Sequence, residues 1–354
     1  MNDFRRTLAV VAAVAGCFLI PIYEASGQAQ QIGIIDLYGL SRVAADQVRA
    51  ALTFKVGDTI PSGGEERRAF LASSETRVAA LPGVARARAE VVCCEQGRAI
   101  VYLGVEETGA PTLQFRAVPQ GPARLAADIV QAGEDFWKAL MLAVQQGRAE
   151  EDRAEGHALN RDPAMRAIQE RFLMYAKRDL PALRVVLQSS SEAAHRALAA
   201  QVLGYASDKQ AVVGDLVQGM ADPSEEVRNN AMRTLMVFVE AVPTEGRPRP
   251  RVPFEPFVAL LNSPIWSDRN KSSGALMALS ESRDPKVLAA LRAQALTSLV
   301  EMARWKSAGH ALAPLLILGR LAGYSDETAF GLWERGDREA IITAAIKGRV
   351  PGPR

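Results

Sequence analysis

The sequence predicts a small α+β domain followed by an all-α domain of repeated helix pairs, with helix predominating. Two observations lead to this fold class. Residues 31–107 follow the order strand, helix, helix, strand, strand, whereas residues 162–348 carry Ala and Leu at helical spacing with almost no strand signal. The 354-residue chain has 48% hydrophobic residues and a net charge of +2, which excludes a disordered chain and a strongly basic nucleic-acid-binding face.

The first 29 residues have the pattern of an export signal. Arg5 and Arg6 precede the uncharged stretch 8–22, which is shorter than the roughly twenty apolar residues of a membrane-spanning helix. We expect a cleaved signal peptide at 1–29, or an inner-membrane anchor if it is retained. Cys17 ends a sequence that resembles a lipobox, so a lipoprotein is a further alternative. The expected location is the periplasm or the cell envelope.

The first folded domain is predicted from its strand and helix signals in chain order. The β-branched and apolar stretch 32–38 predicts a strand, and Ser41 is placed to cap the helix that follows it. A second helix is predicted over about 65–80. The alternating stretch 84–94 and the apolar stretch 99–106 then predict a hairpin.

This order of elements resembles a POTRA domain, the small β-α-α-β-β module of the bacterial cell envelope. The resemblance rests on Gly39 closing the first strand, the segment 52–58 after the first helix, Gly83-Val84 before the second strand, and the strand end 105–107. It implies binding rather than catalysis, because POTRA modules take partner chains along an exposed sheet edge. The alternative is a small α+β fold that only packs on the rest of the chain.

Two adjacent cysteines lie in the predicted second strand. Successive strand side chains alternate between faces, so Cys93 and Cys94 are expected as one buried and one exposed thiol. An exported protein would also let them oxidise, which makes them candidates for a redox site or a vicinal disulfide. No C-x-x-C pair or Cys/His cluster supports a zinc site.

The helical half is predicted mainly from segment 222–235. Asp222 is expected to cap a helix, with Pro223 at its first position and Glu225 completing a capping box. An apolar stripe follows at four-residue spacing: Val227, Ala231 and Leu235.

This segment resembles the second helix of a HEAT repeat, in which an acidic start and a Val-Arg pair precede a small residue and a leucine. The same frame recurs at Arg196 and Arg269, and more weakly at Arg304. The partner helices of the pairs are expected at 180–189, 209–221, 254–262 and about 284–299. The resemblance implies that Asp222 and Arg228 bond along the stack and are structural. The predicted divisions are a signal or anchor at 1–29, a POTRA-like domain at 31–107, a helical connector with a polar loop at 108–161, a HEAT-like domain at 162–348 and a disordered tail at 349–354.

Two polar segments of the sequence are candidate sites. In the run 148–157, the side chains that could in principle hold a metal are Glu151, Asp152, Glu155 and His157, but such carboxylates usually face water and we predict no metal. The basic loop with Arg247, Arg249 and Arg251 is expected to be a solvated insertion. Its alternative role is an interaction loop for lipid phosphates or an acidic partner.

Motifs of common enzymes are absent from the sequence, including G-x-S-x-G, H-E-x-x-H and the P-loop, and the three histidines lie far apart. We therefore expect a non-catalytic adaptor that binds envelope proteins through an edge strand and a helical groove. No cofactor, small-molecule substrate or nucleic acid is expected. The alternatives are an enzyme of the HEAT-like lyase type, which acts on chromophores, and a lipid-anchored component of envelope assembly.

Overall fold

The computed structural model describes residues 30–241 and 249–348. The expected signal with Cys17, the residue Arg247 and the expected tail at 349–354 lie outside the described residues. The structure is predominantly helical with a small mixed sheet. Within the described ranges, none of the helices combines the length and the apolar character needed to span a membrane.

The chain forms two compact units. The first unit contains the described parts of Met1–Leu113, Val258–Ser273 and Ser280–Arg354, and the second contains those of Gln114–Phe257 and Gly274–Leu279. The first unit thus combines the strands with C-terminal helices. The domain boundaries predicted from the sequence at 107 and 161 stay a prediction.

The sheet of the first unit has four strands in the order β2-β1-β4-β3. The strands are β1 (Gln30–Tyr38), β2 (Thr59–Ile60), β3 (Val84–Glu95) and β4 (Arg98–Glu107), and the helices between β1 and β3 are α1 (Ala45–Ala51) and α2 (Gly64–Ala79). β4 pairs in parallel with β1 and in antiparallel with β3. This is the chain order expected from the sequence, with the two-residue β2 in addition.

The second unit contains a short hairpin and most of the repeated helix pairs. Its elements are α3 (Ala127–Gln145), β5 (Glu151–Asp152), β6 (Leu159–Asn160), α4 (Pro163–Arg178), α5 (Leu180–Ser189), α6 (Ala193–Leu203), α7 (Gln210–Gly219) and α8 (Glu225–Glu240). Helix α5 packs on α6 and α7 packs on α8, and the second helices of these pairs, α6 and α8, lie against each other. Thr234 Oγ1 donates to Ala200 O across that contact, so the pairs stack as repeats do.

The remaining helices continue to residue 347. They are α9 (Glu255–Leu260), α10 (Trp266–Leu279), α11 (Pro285–Gln294), α12 (Leu296–Ala303), α13 (Ala308–Leu321), α14 (Asp326–Glu334) and α15 (Arg338–Lys347). The sequence predicted one helix over 284–299, and this prediction is wrong. The chain leaves helical geometry at Ala295, which has a φ of −136° and a ψ of 5°, and the buried Ala295 separates α11 from α12.

Both faces of the sheet are buried within the first unit. One face packs with α1 and α2 around a core that includes Ile35, Val78 and Leu103. The other face packs against helices from the C-terminal part of the same unit, where the Tyr102 ring stacks on Trp266 with centroids 5.2 Å apart. Gly104 allows this close approach, because a Cβ there would lie 2.0 Å from Pro264 O. The sheet therefore acts as the middle layer of its unit.

Candidate functional site

Three arginines of the repeat frame fold back onto the turn before their own helix. Arg196 Nη1 donates to Ser190 O at 2.8 Å, and Arg228 Nη1 donates to Asp222 O at 2.9 Å. Arg269 Nε donates to a carbonyl at the same offset, Ser263 O, at 2.6 Å. All three arginine side chains are buried. Each guanidinium satisfies carbonyl groups of its turn and fixes that turn against the following helix.

The Asp222 carboxylate binds two arginines of the second unit. Arg196 donates to both of its oxygens, with Nε–Oδ2 and Nη2–Oδ1 distances of 2.8 Å, and Arg116 Nη2 also donates to Oδ2. The Ser224 N–H donates to Oδ1. Burial raises the Asp222 pKa, but the hydrogen bonds from Arg196, Arg116 and Ser224 outweigh it, and the pKa is lowered overall.

The predicted cap at the start of α8 is wrong. The helix begins at Glu225, and Ser224 occupies the N-cap position with no side-chain cap hydrogen bond. Asp222 and Pro223 precede the helix. The Asp222 carboxylate accepts the Ser224 N–H within the turn and also bonds the Arg196 and Arg116 side chains, so it holds this turn to its neighbours.

The apolar stripe of α8 lies in the core, where Val227, Ala231 and Leu235 have no exposed surface. Gly219 at the end of α7 faces it, since a Cβ there would lie 3.1 Å from the Ala231 Cβ. Two small residues thus let α7 and α8 approach closely.

An extended part of the connector lies along the turns of the same repeats. The Arg116 N–H donates to Ala221 O at 2.8 Å, and the Gly121 N–H donates to Ser189 O at 2.7 Å. The Phe115 ring lies 4.1 Å from the Arg228 guanidinium, within cation–π range. The connector thereby covers the arginine side of these turns.

Arg269 has related partners in the first unit. Its Nη1 donates to Glu301 Oε2 at 2.9 Å, and its guanidinium lies 4.6 Å from the Tyr38 ring. Glu301 also accepts the N–H of Gly39, and Tyr38 Oη donates to Pro264 O. The end of β1 is thus held on the turn that Arg269 closes.

The weaker frame match at Arg304 is wrong. Arg304 is the C-cap residue of α12, and its side chain pairs with Glu339 at 2.8 Å in an exposed ion pair. The next helix begins only at Ala308, so this arginine has no helix of its own to which it could fold back.

The outer edge of β3 is the surface on which the predicted partner binding depends. β3 ends the sheet, so no strand among the residues described lies beyond it. The Ala89 N–H points outward and donates to Glu75 Oε1 at 2.8 Å. Residues alternate along an antiparallel strand, so the main-chain groups of Ala87 and Val91 point outward as well.

Cys93 and Cys94 are joined by a disulfide across a cis peptide bond. They lie at a register shift of β3 between the pairs Val92–Ile100 and Glu95–Arg98, which is a β-bulge. The interpretation as two independent thiols therefore does not describe this structure. The Gln30 Nε2 lies 3.5 Å from the exposed Cys94 Sγ.

The three histidines occupy separate structural sites. His195 Nδ1 accepts the N–H of Leu125, and His157 lies beside Lys209 Nζ at 3.4 Å. His310 is buried, and its Nδ1 lies 2.7 Å from the Tyr102 hydroxyl. Burial, together with the positive charge of Lys271, lowers the His310 pKa to about 4.

The polar run forms ion pairs. Glu151 lies between Arg153, at 2.9 Å, and Arg233, while Asp152 accepts the N–H of Ala154. In the parts of the chain that the structure describes, no group of three or more His, Cys, Asp or Glu side chains could hold a metal ion. The described end of the basic loop is exposed, with Arg249 Nε donating to Ala241 O.

One structural residue that the sequence reasoning missed is Glu107. Its buried Oε1 accepts the N–H groups of Ser41, Arg42 and Val43 at 2.8 to 2.9 Å. Burial raises the Glu107 pKa, but these hydrogen bonds outweigh it and the pKa lies far below its ordinary value. Ser41 thus binds Glu107 and does not cap α1, which begins at Ala45. The sequence signal was only an acid at the end of a predicted strand.

A second missed feature is the aromatic cluster between the sheet and the C-terminal helices of the first unit. Its members are Tyr38, Tyr102, Trp266, Trp305 and His310, with neighbouring ring centroids 4.8 to 5.7 Å apart. Sequence spacing could not bring these residues together, because they come from distant segments.

No protein-family model matches the chain, and no curated protein matches it. Solved structures that it resembles include three of designed armadillo repeat proteins, each 16% identical to it. YIII(Dq.V1)4CPAF in complex with the peptide (KR)4 has a TM-score of 0.34, with 53% of this chain and 95% of that chain covered. The structure of computationally designed armadillo repeat proteins for modular peptide recognition has a TM-score of 0.35, with 53% of this chain and 94% of that chain covered. YIII(Dq)4CqI has a TM-score of 0.35, with 54% and 94% covered.

Proposed function

We propose that this chain is an exported, non-catalytic adaptor of the bacterial cell envelope, which binds an extended segment of a partner protein along the outer edge of β3. The observation that carries this proposal is the position of β3 at the end of the sheet, with outward-pointing main-chain groups at Ala87, Ala89 and Val91. A strand at the end of a sheet binds another strand through main-chain hydrogen bonds. At Ala89 a carbonyl of the partner strand would replace the Glu75 carboxylate as the acceptor.

The element order of the first unit supports a POTRA-like module, and the stacked helix pairs support a HEAT-like scaffold. The arginines of the repeat frame are buried and donate to carbonyls of the turn before their own helix, which is the role of structural residues. Export is supported by Arg5, Arg6 and the apolar stretch that follows them.

Site-specific crosslinking in cells tests the edge. A photoreactive residue replaces the exposed Ala85 on β3, and a matched one replaces the exposed Met174 on α4. We expect the β3 position to capture a specific envelope protein that the α4 position does not capture.

Val91→Pro should abolish that crosslink, because proline removes an outward N–H while the neighbouring residues keep the ladder to β4. Val91→Thr keeps the N–H and serves as the control, and thermal unfolding establishes that both variants are folded. Equal crosslinking by the two variants would reject strand pairing. Mass spectrometry of the mature N-terminus separates cleavage before Gln28 or Gln30, acylated Cys17 and retained Met1.

A further inference from the structure

The Cys93–Cys94 disulfide lies near the end of the β3–β4 hairpin, where the buried part of β3 gives way to an exposed turn. Val92 before it is buried, Cys93 is half-buried and Cys94 is exposed. Two residues of β3 oppose the single residue Ala99 of β4 at this point, and bulges of this kind change the direction of side chains. The bulge thus leaves Cys94 accessible to a reagent in solvent.

We propose that this pair is a redox-active site that accepts two electrons from a dithiol, which attacks Cys94 Sγ. Attack by a thiolate requires access to one sulfur of the disulfide, and the exposed Cys94 provides more access than the half-buried Cys93. In the described ranges, no third His, Cys, Asp or Glu side chain completes a metal-binding group with the pair, so exchange is the chemistry that the two sulfurs support. The inference goes beyond the proposed partner binding and does not depend on it.

The exchange has two steps. A thiolate of the dithiol attacks Cys94 Sγ, the bond between the two cysteines breaks, and its electron pair leaves on Cys93 Sγ, which takes up a proton. The second thiolate of the dithiol then attacks the dithiol's own sulfur in the mixed disulfide and expels Cys94, which takes up the second proton. The dithiol is thereby oxidised to a disulfide, and the two cysteines are reduced to thiols.

The position of Cys93 beside Cys94 selects a dithiol over a monothiol. A monothiol bound to Cys94 lies next to the Cys93 thiol, which expels it and restores the original disulfide. A dithiol completes the reaction because its own second thiol is tethered close to the same mixed disulfide. The third cysteine of the chain, Cys17, lies in the expected signal, so no other cysteine of the described residues competes in this step.

The side chain of Gln30 at the start of β1 is placed to assist the departure of Cys93. Its Nε2 lies 3.8 Å from Cys93 Sγ and 3.5 Å from Cys94 Sγ, close enough to donate weak hydrogen bonds to sulfur. A donor at this place stabilises the negative charge on the sulfur that leaves. Gln30 is held there by the pairing of β1 with β2, in which it lies opposite Ile60.

The chain around the pair is held on both sides, so we expect it to stay folded when the disulfide opens. The strand pairs Val92–Ile100 and Glu95–Arg98 flank the two cysteines. Glu95 Oε2 also accepts the hydroxyl of Ser307 at 3.0 Å, which holds the end of the hairpin to the start of α13. These contacts do not involve the sulfur atoms and can therefore persist in the reduced chain.

The test is reduction of the folded full chain by dithiothreitol, followed by alkylation and mass spectrometry of the tryptic peptide 89–98. This peptide contains both cysteines of the pair and excludes Cys17. We expect dithiothreitol to reduce the folded chain at a rate within about tenfold of that for the urea-unfolded chain, with unchanged circular dichroism. Glutathione at the same thiol concentration should leave the pair oxidised.

Three results would overturn the proposal. The first is reduction by dithiothreitol only after the chain is unfolded, which would show that the disulfide is inaccessible. The second is equally complete reduction by glutathione, which would remove the selection of a dithiol. The third is the presence of two free thiols in peptide 89–98 of the chain isolated under oxidising conditions.

Single cysteine variants identify the sulfur that is attacked. Cys93→Ser keeps the exposed Cys94 thiol, whereas Cys94→Ser keeps the half-buried Cys93 thiol. The Cys93→Ser chain should therefore form a mixed disulfide with oxidised glutathione several-fold faster, measured on the same peptide. Faster capture by Cys94→Ser would contradict attack at Cys94.

A pair of glutamine variants tests the role of the side-chain amide. Gln30→Ala should slow the reduction by dithiothreitol by about threefold, because Cys93 then leaves without a donor. Gln31→Ala is the matched control, since successive side chains of a strand point to opposite faces. Equal rates for the two variants would contradict the assistance by Gln30.

Discussion

The turn closed by Arg196 in the second unit and the turn closed by Arg269 in the first use the same fold-back but different acids. Arg196 binds Asp222, which is fully buried and also receives Arg116. Arg269 binds Glu301, whose side chain is 20% exposed and which also receives the Gly39 N–H at the end of β1.

The difference shows what a repeated sequence frame can and cannot specify. The Asp222 carboxylate belongs to the frame and joins one repeat to the next. Glu301 lies on α12, outside the frame, and joins a repeat turn to the sheet. The frame therefore determines the fold-back of the arginine, whereas neighbouring segments determine what the arginine holds in place.

The largest expected effect is at Asp222. Asp222→Ala leaves two guanidinium groups without their counter-charge, and we expect the second unit to lose about 3 to 5 kcal/mol of unfolding free energy. Glu301→Ala should lose only about 1 to 2 kcal/mol from the first unit, because that site is partly solvated. Urea denaturation measures both losses of unfolding free energy. Equal losses, or a larger loss for Glu301→Ala, would contradict the distinction between the two acids. A double-mutant cycle with Arg196→Met gives the coupling of the Asp222 pair.

Acidification should weaken the first unit through His310. Its folded pKa of about 4 lies below the ordinary value near 6.5, so the unfolded chain takes up the proton first. This contribution is fully present above about pH 6.5 and is lost progressively down to about pH 4, for a total of about 3 kcal/mol. The difference between wild type and His310→Gln, measured by denaturation across this range, isolates the histidine. If the unfolding free energies of the wild type and His310→Gln changed equally with pH, this role of His310 would be contradicted.

Removing the aromatic rings that lie over Arg228 and Arg269 should have intermediate effects on stability. Phe115→Leu removes the ring from Arg228, and Tyr38→Leu removes the ring from Arg269, each at about 0.5 to 2 kcal/mol. Tyr38→Phe keeps the ring and loses only the hydroxyl bond to Pro264 O, so it should cost less than Tyr38→Leu. Thermal unfolding ranks the three variants. Equal losses for Tyr38→Phe and Tyr38→Leu would assign the effect to the hydroxyl.

The smallest effect is expected at Arg304. Its ion pair with Glu339 is exposed on both sides, so Arg304→Ala should change stability by no more than about 0.5 kcal/mol. Arg269→Ala is the comparison and should cause a larger loss of stability, because it removes a buried guanidinium. A loss at Arg304 comparable to that at Arg269 would show that the sequence frame extends to Arg304 after all.

Local patterns predicted many elements because their signals lie close together in the chain. The helix expected at 180–189 is α5, and the expected stripe Val227, Ala231 and Leu235 is buried. Asp222 was assigned as the cap of α8, because its bond to the Ser224 N–H is local, whereas its bonds to Arg196 depend on a residue 26 positions away. Glu75 and Glu107 escaped notice for the same reason, since their partners lie on other elements.

The sequence by itself determined the order of strands and helices, the arginine frame and the buried face of the repeat helix, because periodicity and short-range hydrogen bonds encode them. Only the tertiary structure decided that both faces of the sheet are covered and that the β3 edge meets the Glu75 carboxylate. These features depend on distances between segments far apart in the chain. Single-sequence patterns carry no information on such distances, whereas packing and the need to satisfy buried polar groups fix them.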